Sequence, residues 1–292
     1  MQGKILKGIG GFYYVSDGHG TVVECRARGG FRRDEIRPLV GDNVTVSLTD
    51  TEPVTGRIDA IEKRKNTLIR PAVANVDQAM IIVSVRKPAF HPGLLDRFLL
   101  WMEWQAVPVI VGIGKMDLAK GGEAEEIRSV YEGAGCRVCS FSAKTGEGLE
   151  DLRELLQGRT TVLAGASGVG KSTLLNCFVP EASMETGALS RKLSRGRHTT
   201  RHSEIFCFGP DSFLCDTPGF TALELPPVEP EELKTCFAEF APYEGSCAFR
   251  DCLHDKETNC AVKAALAEGK IAPSRYESYG KFLEECRQRR KY

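Results

Sequence analysis

Between the apolar, strand-like tetrad Thr161-Val162-Leu163-Ala164 and the helix-like run Ser172-Thr173-Leu174-Leu175-Asn176, the chain reads Gly165-Ala166-Ser167-Gly168-Val169-Gly170-Lys171-Ser172. No other stretch constrains the fold as tightly. Gly165, Gly168 and Gly170 let the backbone turn sharply and be approached closely. A strand that feeds such a turn and leaves it as a helix is one unit of a parallel α/β sheet. The turn also presents a fan of N–H groups at the positive end of a helix, which suits a dense anion such as a triphosphate. On this reading Gly165, Ala166, Ser167, Gly168, Val169, Gly170 and Thr173 surround the phosphates. Lys171 reaches the β- and γ-phosphates, and Ser172 offers its hydroxyl to Mg²⁺.

The surrounding pattern agrees. Residues 78–85 are a near-continuous apolar run, as a strand buried on both faces requires, and residues 107–112 and 161–164 repeat it. Helix-like stretches over 93–105 and 123–132 alternate with them, which predicts a parallel sheet with helices on both faces within residues 69–225. Residues 1–68 differ. Short strand signals at 12–15, 21–25, 43–48 and 55–61 are separated by Gly and Asp turns with no competing helical period. About five short strands in that length predict a small closed β-barrel, an OB-fold. Residues 226–292 are polar and mainly helical, with a linker or helix start at 226–232 and a charged helix at 277–290. The expected class is multidomain: barrel, central α/β P-loop domain, and a C-terminal mainly α domain.

Two further segments precede the phosphate loop. Gly114-Lys115-Met116-Asp117 and Ser142-Ala143-Lys144 each follow a predicted strand. A carboxylate such as Asp117 accepts two hydrogen bonds from guanine N1–H and the 2-amino group, a pair adenine cannot supply. Lys115 would lay its aliphatic stem over the base, and the Ala143 N–H would approach O6. GTP and GDP are therefore the expected nucleotides. Proteins that read guanine this way ordinarily carry the phosphate loop first and the base reader last, so the order here is circularly permuted. The usual first residue of the base reader is Asn or Thr, whose side chain ties the base to the phosphate loop. Gly114 forfeits that tie, worth about 0.5–1.5 kcal/mol.

Residues 189–202 carry five Lys or Arg and no acid. The run reads either as a solvated basic loop or as a loop that orders on GTP and touches phosphate-rich RNA. Thr200, with Thr199 as second choice, is expected to join Mg²⁺. In Asp216-Thr217-Pro218-Gly219, Asp216 falls on the Mg²⁺ side and the Gly219 N–H near the γ-phosphate. Phe220 follows, where Ras-like enzymes carry a water-orienting glutamine. Intrinsic hydrolysis should be slow, and His198 is the nearest group able to orient water. The expected catalytic set is His198, Lys171 and Thr200.

Cys247, Cys252, His254 and Cys260 put four soft or borderline ligands within a short segment. Cys3His is a closed tetrahedral set suited to one structural Zn²⁺ per chain. The other cysteines of an odd total of 11 read as reduced core thiols. That usage, and an N-terminus without a signal peptide's apolar stretch, predict a cytoplasmic protein. No apolar run approaches the ~18 residues of a membrane span, so no membrane partner is expected. Charges balance at 39 basic and 39 acidic residues, which leaves any partner to local patches. One such patch is Arg26, Arg28, Arg32, Arg33 and Arg37 with Phe31 as a base-stacking platform, joined by Lys63, Arg64 and Lys65. A solvated loop explains the same residues. Nothing requires a dimer, so a monomer is expected.

Together, the barrel, the permuted motifs, Gly196-Arg197-His198-Thr199-Thr200-Arg201, Asp216-Thr217-Pro218-Gly219-Phe220 and the Cys3His spacing resemble the ribosome-small-subunit-dependent GTPases (the RsgA family, also called YjeQ or YloQ). The likeness spans nearly the whole chain and includes Arg70-Pro71 and Asn75-Val76-Asp77-Gln78. It implies an OB-fold that binds rRNA over 1–68, a permuted GTPase domain over 69–225 and a zinc-binding domain over 226–292. It further implies late maturation of the small ribosomal subunit as the process, with hydrolysis stimulated by that subunit and His198 as the catalytic group. Gly114 departs from the family pattern. Two other readings stay open on sequence alone: an RNA-binding module whose nucleotide site turns over little, and a P-loop ATPase or kinase, which Asp117 and Ser142-Ala143-Lys144 oppose.

Overall fold

The protein's computed structural model describes residues 1–29, 31, 37–49, 53–69, 71–180, 204–216 and 223–289. The chain forms two compact units. One comprises Met1–Met80, Leu149–Ala164 and Gly170–Gly219, the other Ile81–Gly148, Gly165–Val169 and Phe220–Tyr292.

In the first unit β1 (Gln2–Ile9), β2 (Phe12–Ser16), β3 (Val22–Ala27), β4 (Asn43–Leu48) and β5 (Thr55–Ile61) close a barrel in the order β1-β2-β3-β5-β4. Its pairings are antiparallel except β3 with β5, the OB arrangement. Strict alternation builds the core: Val23 and Cys25 of β3 and Val44 and Val46 of β4 point inward, meeting Ile5, Val15 and Ile58. The β1 strand had no sequence signal. Ile5 is the single fully buried residue of QGKILKGI, and the strand exists through its ladders to β2 and β4 rather than through its own pattern.

The remaining strands are β6 (Gln78–Ser84), β7 (Val109–Gly114), β8 (Arg137–Ser140), β9 (Thr160–Ala164), β10 (Glu204–Gly209) and β11 (Ser212–Asp216). The first unit holds β10, β11 and β9 side by side in that order, and the second holds β7 beside β8. In the first unit β11 runs parallel to β9, with Asp216 opposite Leu163, and β10 pairs antiparallel at the edge. In the second, β7 runs parallel to β8, with Ile113 opposite Ser140. All five residues of β9 are buried, and β6 has one that is only partly so, as near-continuous apolar strands require.

The helices are α1 (Pro92–Trp104), α2 (Glu123–Gly133), α3 (Leu149–Leu156), α4 (Lys171–Phe178), α5 (Pro230–Leu233), α6 (Ala261–Ala267) and α7 (Pro273–Arg289). The C-terminal region is better packed than its polar sequence suggests. The expected charged helix at 277–290 starts earlier, at Pro273, and buries Tyr279, Phe282, Leu283 and Cys286. These meet Leu233, Phe237 and Phe240 in one core, with the Phe237 and Tyr279 rings edge-to-face at 5.2 Å. Beside it the Arg275 guanidinium is buried between Asp96 of α1 and Glu239, each 2.7 Å away. Tyr131 of α2 donates its hydroxyl hydrogen bond to the same Asp96 oxygen at 2.9 Å.

Candidate nucleotide site and candidate metal centre

The phosphate loop leaves β9 as an irregular turn and enters α4 at Lys171. Gly165, Gly168 and Gly170 have φ of +141°, +80° and +110°, which only glycine adopts without strain. Gly165 is doubly constrained, because a Cβ there would run into the Ile82 carbonyl oxygen. The strand, turn and helix therefore follow from the local sequence. Ala166 is half-buried, Ser167 exposed and Val169 buried.

In the second unit the two segments expected to read the base come together at the ends of β7 and β8. Lys115 sits at φ +60°, turning the chain into a short 3-10 turn, Met116–Leu118, that carries Asp117. The Ser142 hydroxyl donates to Asp117 at 2.8 Å, and the Lys144 ammonium lies 3.8 Å from its other oxygen. The carboxylate is thus oriented by neutral and cationic groups, with its side chain 14 % exposed. The Lys115 ammonium donates to the Gly168 carbonyl of the phosphate loop at 2.6 Å and to the Lys87 carbonyl. Burial pulls its pKa down, and the charge of Asp117 partly opposes this. Lys87 carried no sequence signal, since a carbonyl acceptor is independent of side-chain type. Gly114 is buried and Ala143 half-buried beside these groups.

In the first unit Lys171 is 7 % exposed. Burial lowers its pKa while the Asp216 charge raises it. Asp216 ends β11, the strand beside β9, so both residues lie at the carboxyl ends of parallel strands, where α/β sheets bind ligands. Ser172 is half-buried and Thr173 exposed at the start of α4. His198, Thr199, Thr200, Gly219 and Phe220 lie outside the described residues, as do Arg32, Arg33 and Arg70.

The four expected metal ligands meet in one cluster. The ligand atoms of Cys247, Cys252, His254 and Cys260 all lie within 4.8 Å of one another. Cys247 Sγ is 3.9 Å from Cys260 Sγ and 3.6 Å from His254 Nδ1, and Cys260 Sγ is 3.3 Å from that nitrogen. Tetrahedral zinc, with Zn–S near 2.3 Å, sets sulfurs about 3.8 Å apart, so the donor set fits. The N–H of Ala261 donates to Cys247 Sγ at 3.3 Å and that of His254 to Cys252 Sγ at 3.4 Å, bonds that favour thiolates. Burial pushes the Cys252 thiol up to about 12, against the His254 N–H. Burial also raises the Cys247 thiol, but hydrogen bonds from Ala261 and the neighbouring thiols bring it below its ordinary value. Outside the ligand set, Tyr276 and Tyr279 bond the carbonyls of His254 and Leu253 at 2.6 and 2.5 Å, a support the ligand spacing does not reveal.

The basic patch on the barrel is partly consumed internally. Arg64 clamps the buried Asp42 at 2.6 Å and bonds the Arg37 carbonyl, Lys65 pairs with Asp77, and Arg26 stacks over Phe12. Phe31 is not a free stacking face. It is 9 % exposed and packs into the barrel core, as a large apolar ring does when burial removes it from water.

Fold and site together define a P-loop nucleotide-binding protein of permuted motif order, with a β-barrel before it and a Cys3His module after it. A family model described as RsgA GTPase matches residues 61–226, and one described as the RsgA N-terminal domain matches residues 2–55. The chain is 47 % identical to the small ribosomal subunit biogenesis GTPase RsgA of Agathobacter rectalis, covering all of both chains. It is 44 % identical to that of Alkaliphilus metalliredigens, over 100 % of this chain and 99 % of the relative. Among solved structures it resembles YloQ, described as a circularly permuted GTPase, at 38 % identity and TM-score 0.79, covering 99 % and 95 % of the two chains. It also resembles YjeQ from Thermotoga maritima at 36 % identity and TM-score 0.81, covering 98 % of each. The chain belongs to the RsgA family of GTPases.

Proposed function

We propose that this protein is a GTPase of small-ribosomal-subunit biogenesis, binding the subunit and its rRNA with GTP and leaving after hydrolysis to GDP and phosphate. The observation that carries the base choice is Asp117, whose carboxylate is held by Ser142 and Lys144 beside a lysine anchored to the phosphate loop. The relatives' names supply the process and the subunit. Residues 165–173 would take the phosphates, with Lys171 on the β- and γ-oxygens. Ser172 and Thr200 would hold Mg²⁺, which neutralises charge on the leaving phosphates. Asp216 would act on the same side, Gly219 N–H at the γ-phosphate, and His198 on the attacking water. The Cys247, Cys252, His254 and Cys260 set would hold zinc as a structural element. Modules at 1–68, 69–225 and 226–292 would serve rRNA contact, nucleotide turnover and subunit contact. The protein would act in the cytoplasm as a monomer.

Two measurements test this. GTP turnover should rise strongly with purified small subunits and not with large subunits or with ATP as nucleotide. His198→Ala should remove most of that stimulation while GTP affinity stays close to the parent's. Turnover unmoved by small subunits would reduce the protein to a nucleotide-sensing RNA-binding module, and an unchanged stimulated kcat would take His198 out of the chemistry. Separately, Asp117→Ala should weaken GDP at least about 150-fold, since two hydrogen bonds to a charged acceptor, about 1.5 kcal/mol or more each, are lost. Competition titration reads this directly. Equal loss of GDP and ADP binding would assign Asp117 a structural role instead.

A further inference from the structure

The missing side chain at the head of the base reader has a counterpart across the sheet. Gly114 ends β7 and is buried, and its φ is not in the left-handed range that favours glycine. Conformation therefore does not demand glycine there, and the space beside it is tight. A Cβ at 114 would lie 3.2 Å from Cζ and 3.5 Å from Cε2 of Phe141, with Ile82 Cγ2 at 3.5 Å behind. The Phe141 ring edge thus borders the place a Cβ at 114 would take. It is itself 2 % exposed.

Phe141 is also placed to govern the reader. Its N–H bonds the Ile113 carbonyl at 2.9 Å, and its carbonyl accepts the Met116 N–H at 3.3 Å, so it bridges the residues either side of Gly114-Lys115. The next residue is Ser142, whose hydroxyl holds Asp117. A shift of the Phe141 backbone would carry both the Met116 turn and Ser142 with it.

We propose that Gly114 and Phe141 form one sterically matched pair in which the aromatic ring replaces a polar side chain at the head of the base reader. Phe141 is then a positioning residue for guanine nucleotides. The connection between reader and phosphate loop rests on the Lys115 ammonium bonded to Gly168. The inference builds on the guanine-binding reading above. It predicts that an asparagine at position 114 harms the site while Phe141 is present and helps it once residue 141 is smaller.

The test is a double-substitution cycle on the full-length protein, read by calorimetric titration with GDP and ADP at a temperature where every variant is folded. Gly114→Asn should weaken GDP binding in the parent. In the Phe141→Val background the same change should strengthen it, about fivefold for one recovered side-chain hydrogen bond. The change of sign is the decisive readout, since simple loss of packing only weakens. The same fold-change in both backgrounds overturns the proposal. If Gly114→Asn does not fold in either background, Gly114→Ala carries the comparison. It should weaken GDP with Phe141 present and be neutral with F141V, and equal effects overturn the pair. A parent protein that fails to bind GDP overturns the guanine reading instead. The pair is then judged by thermal midpoints, which G114A must lower more in the parent than beside F141V.

Discussion

Removal of zinc is expected to unfold the segment from Cys247 to Cys260 while the aromatic core beneath it survives. Between those ligands the chain has turns and bends but no helix or strand, and Phe249 is 54 % exposed. The segment packs Cys252 and Cys260 against the C-terminal core but has no regular structure of its own, so the zinc proposed for it would supply much of its ordering energy. Structural zinc sites supply about 10–16 kcal/mol of apparent binding energy in small fingers. The core of Leu233, Phe237, Phe240, Tyr279 and Phe282 is large and lies outside the ligand segment. Loss of zinc should therefore be partial and local. Chelation, or Cys252→Ser, should raise amide hydrogen exchange by several orders of magnitude across the ligand segment. Exchange at Tyr279 and Phe282 should rise far less, and one zinc per chain should be released. Protection of Leu253 that persists in metal-free protein would show that the fold holds these ligands without the ion. Tyr276 and Tyr279, which bond the carbonyls of His254 and Leu253, would then be the reason.

Arg275→Ala should be the most costly single substitution in the C-terminal part, about 3–5 kcal/mol by urea denaturation, because it strands buried charge. The Arg275, Asp96 and Glu239 side chains are 4 %, 0 % and 4 % exposed, so neither carboxylate can recover water when the guanidinium leaves. The ring of Phe237, 4.6 Å from the guanidinium carbon, loses a cation as well. Yet the cluster holds two carboxylates for one guanidinium, and Oδ2 of Asp96 has no hydrogen-bond partner among the described residues. Its net contribution over an uncharged core is therefore small. The combined replacement Asp96→Asn, Glu239→Gln and Arg275→Met should cost much less than Arg275→Ala alone. Simple addition of three large losses would instead mean that each ion contributes independently.

Much of the molecule could be read without coordinates because its chemistry is local. The Gly165–Ser172 turn specifies strand, turn and helix by backbone permission alone, and the positive φ values at Gly165, Gly168 and Gly170 are that permission in use. The spacing of Cys247, Cys252, His254 and Cys260 lets four donors converge within a segment too short to separate them. The barrel strands β3, β4 and β5 announce themselves by alternation, while β1, with one buried residue, does not.

Partnerships between residues far apart along the chain became visible only in the folded molecule. Arg275 meets Asp96 across 179 positions, Lys115 reaches Gly168 across 53, and Phe141 lies over Gly114 because β7 and β8 happen to be neighbours. Phe31 has the composition of an RNA platform and the burial of a core residue. The reason is physical. Turn geometry and ligand spacing are fixed by bonds and dihedrals a few residues long, so residue types alone determine them. Burial, charge pairing and the space beside a glycine depend on which surfaces the folded chain presses together, and no short window of residues contains that.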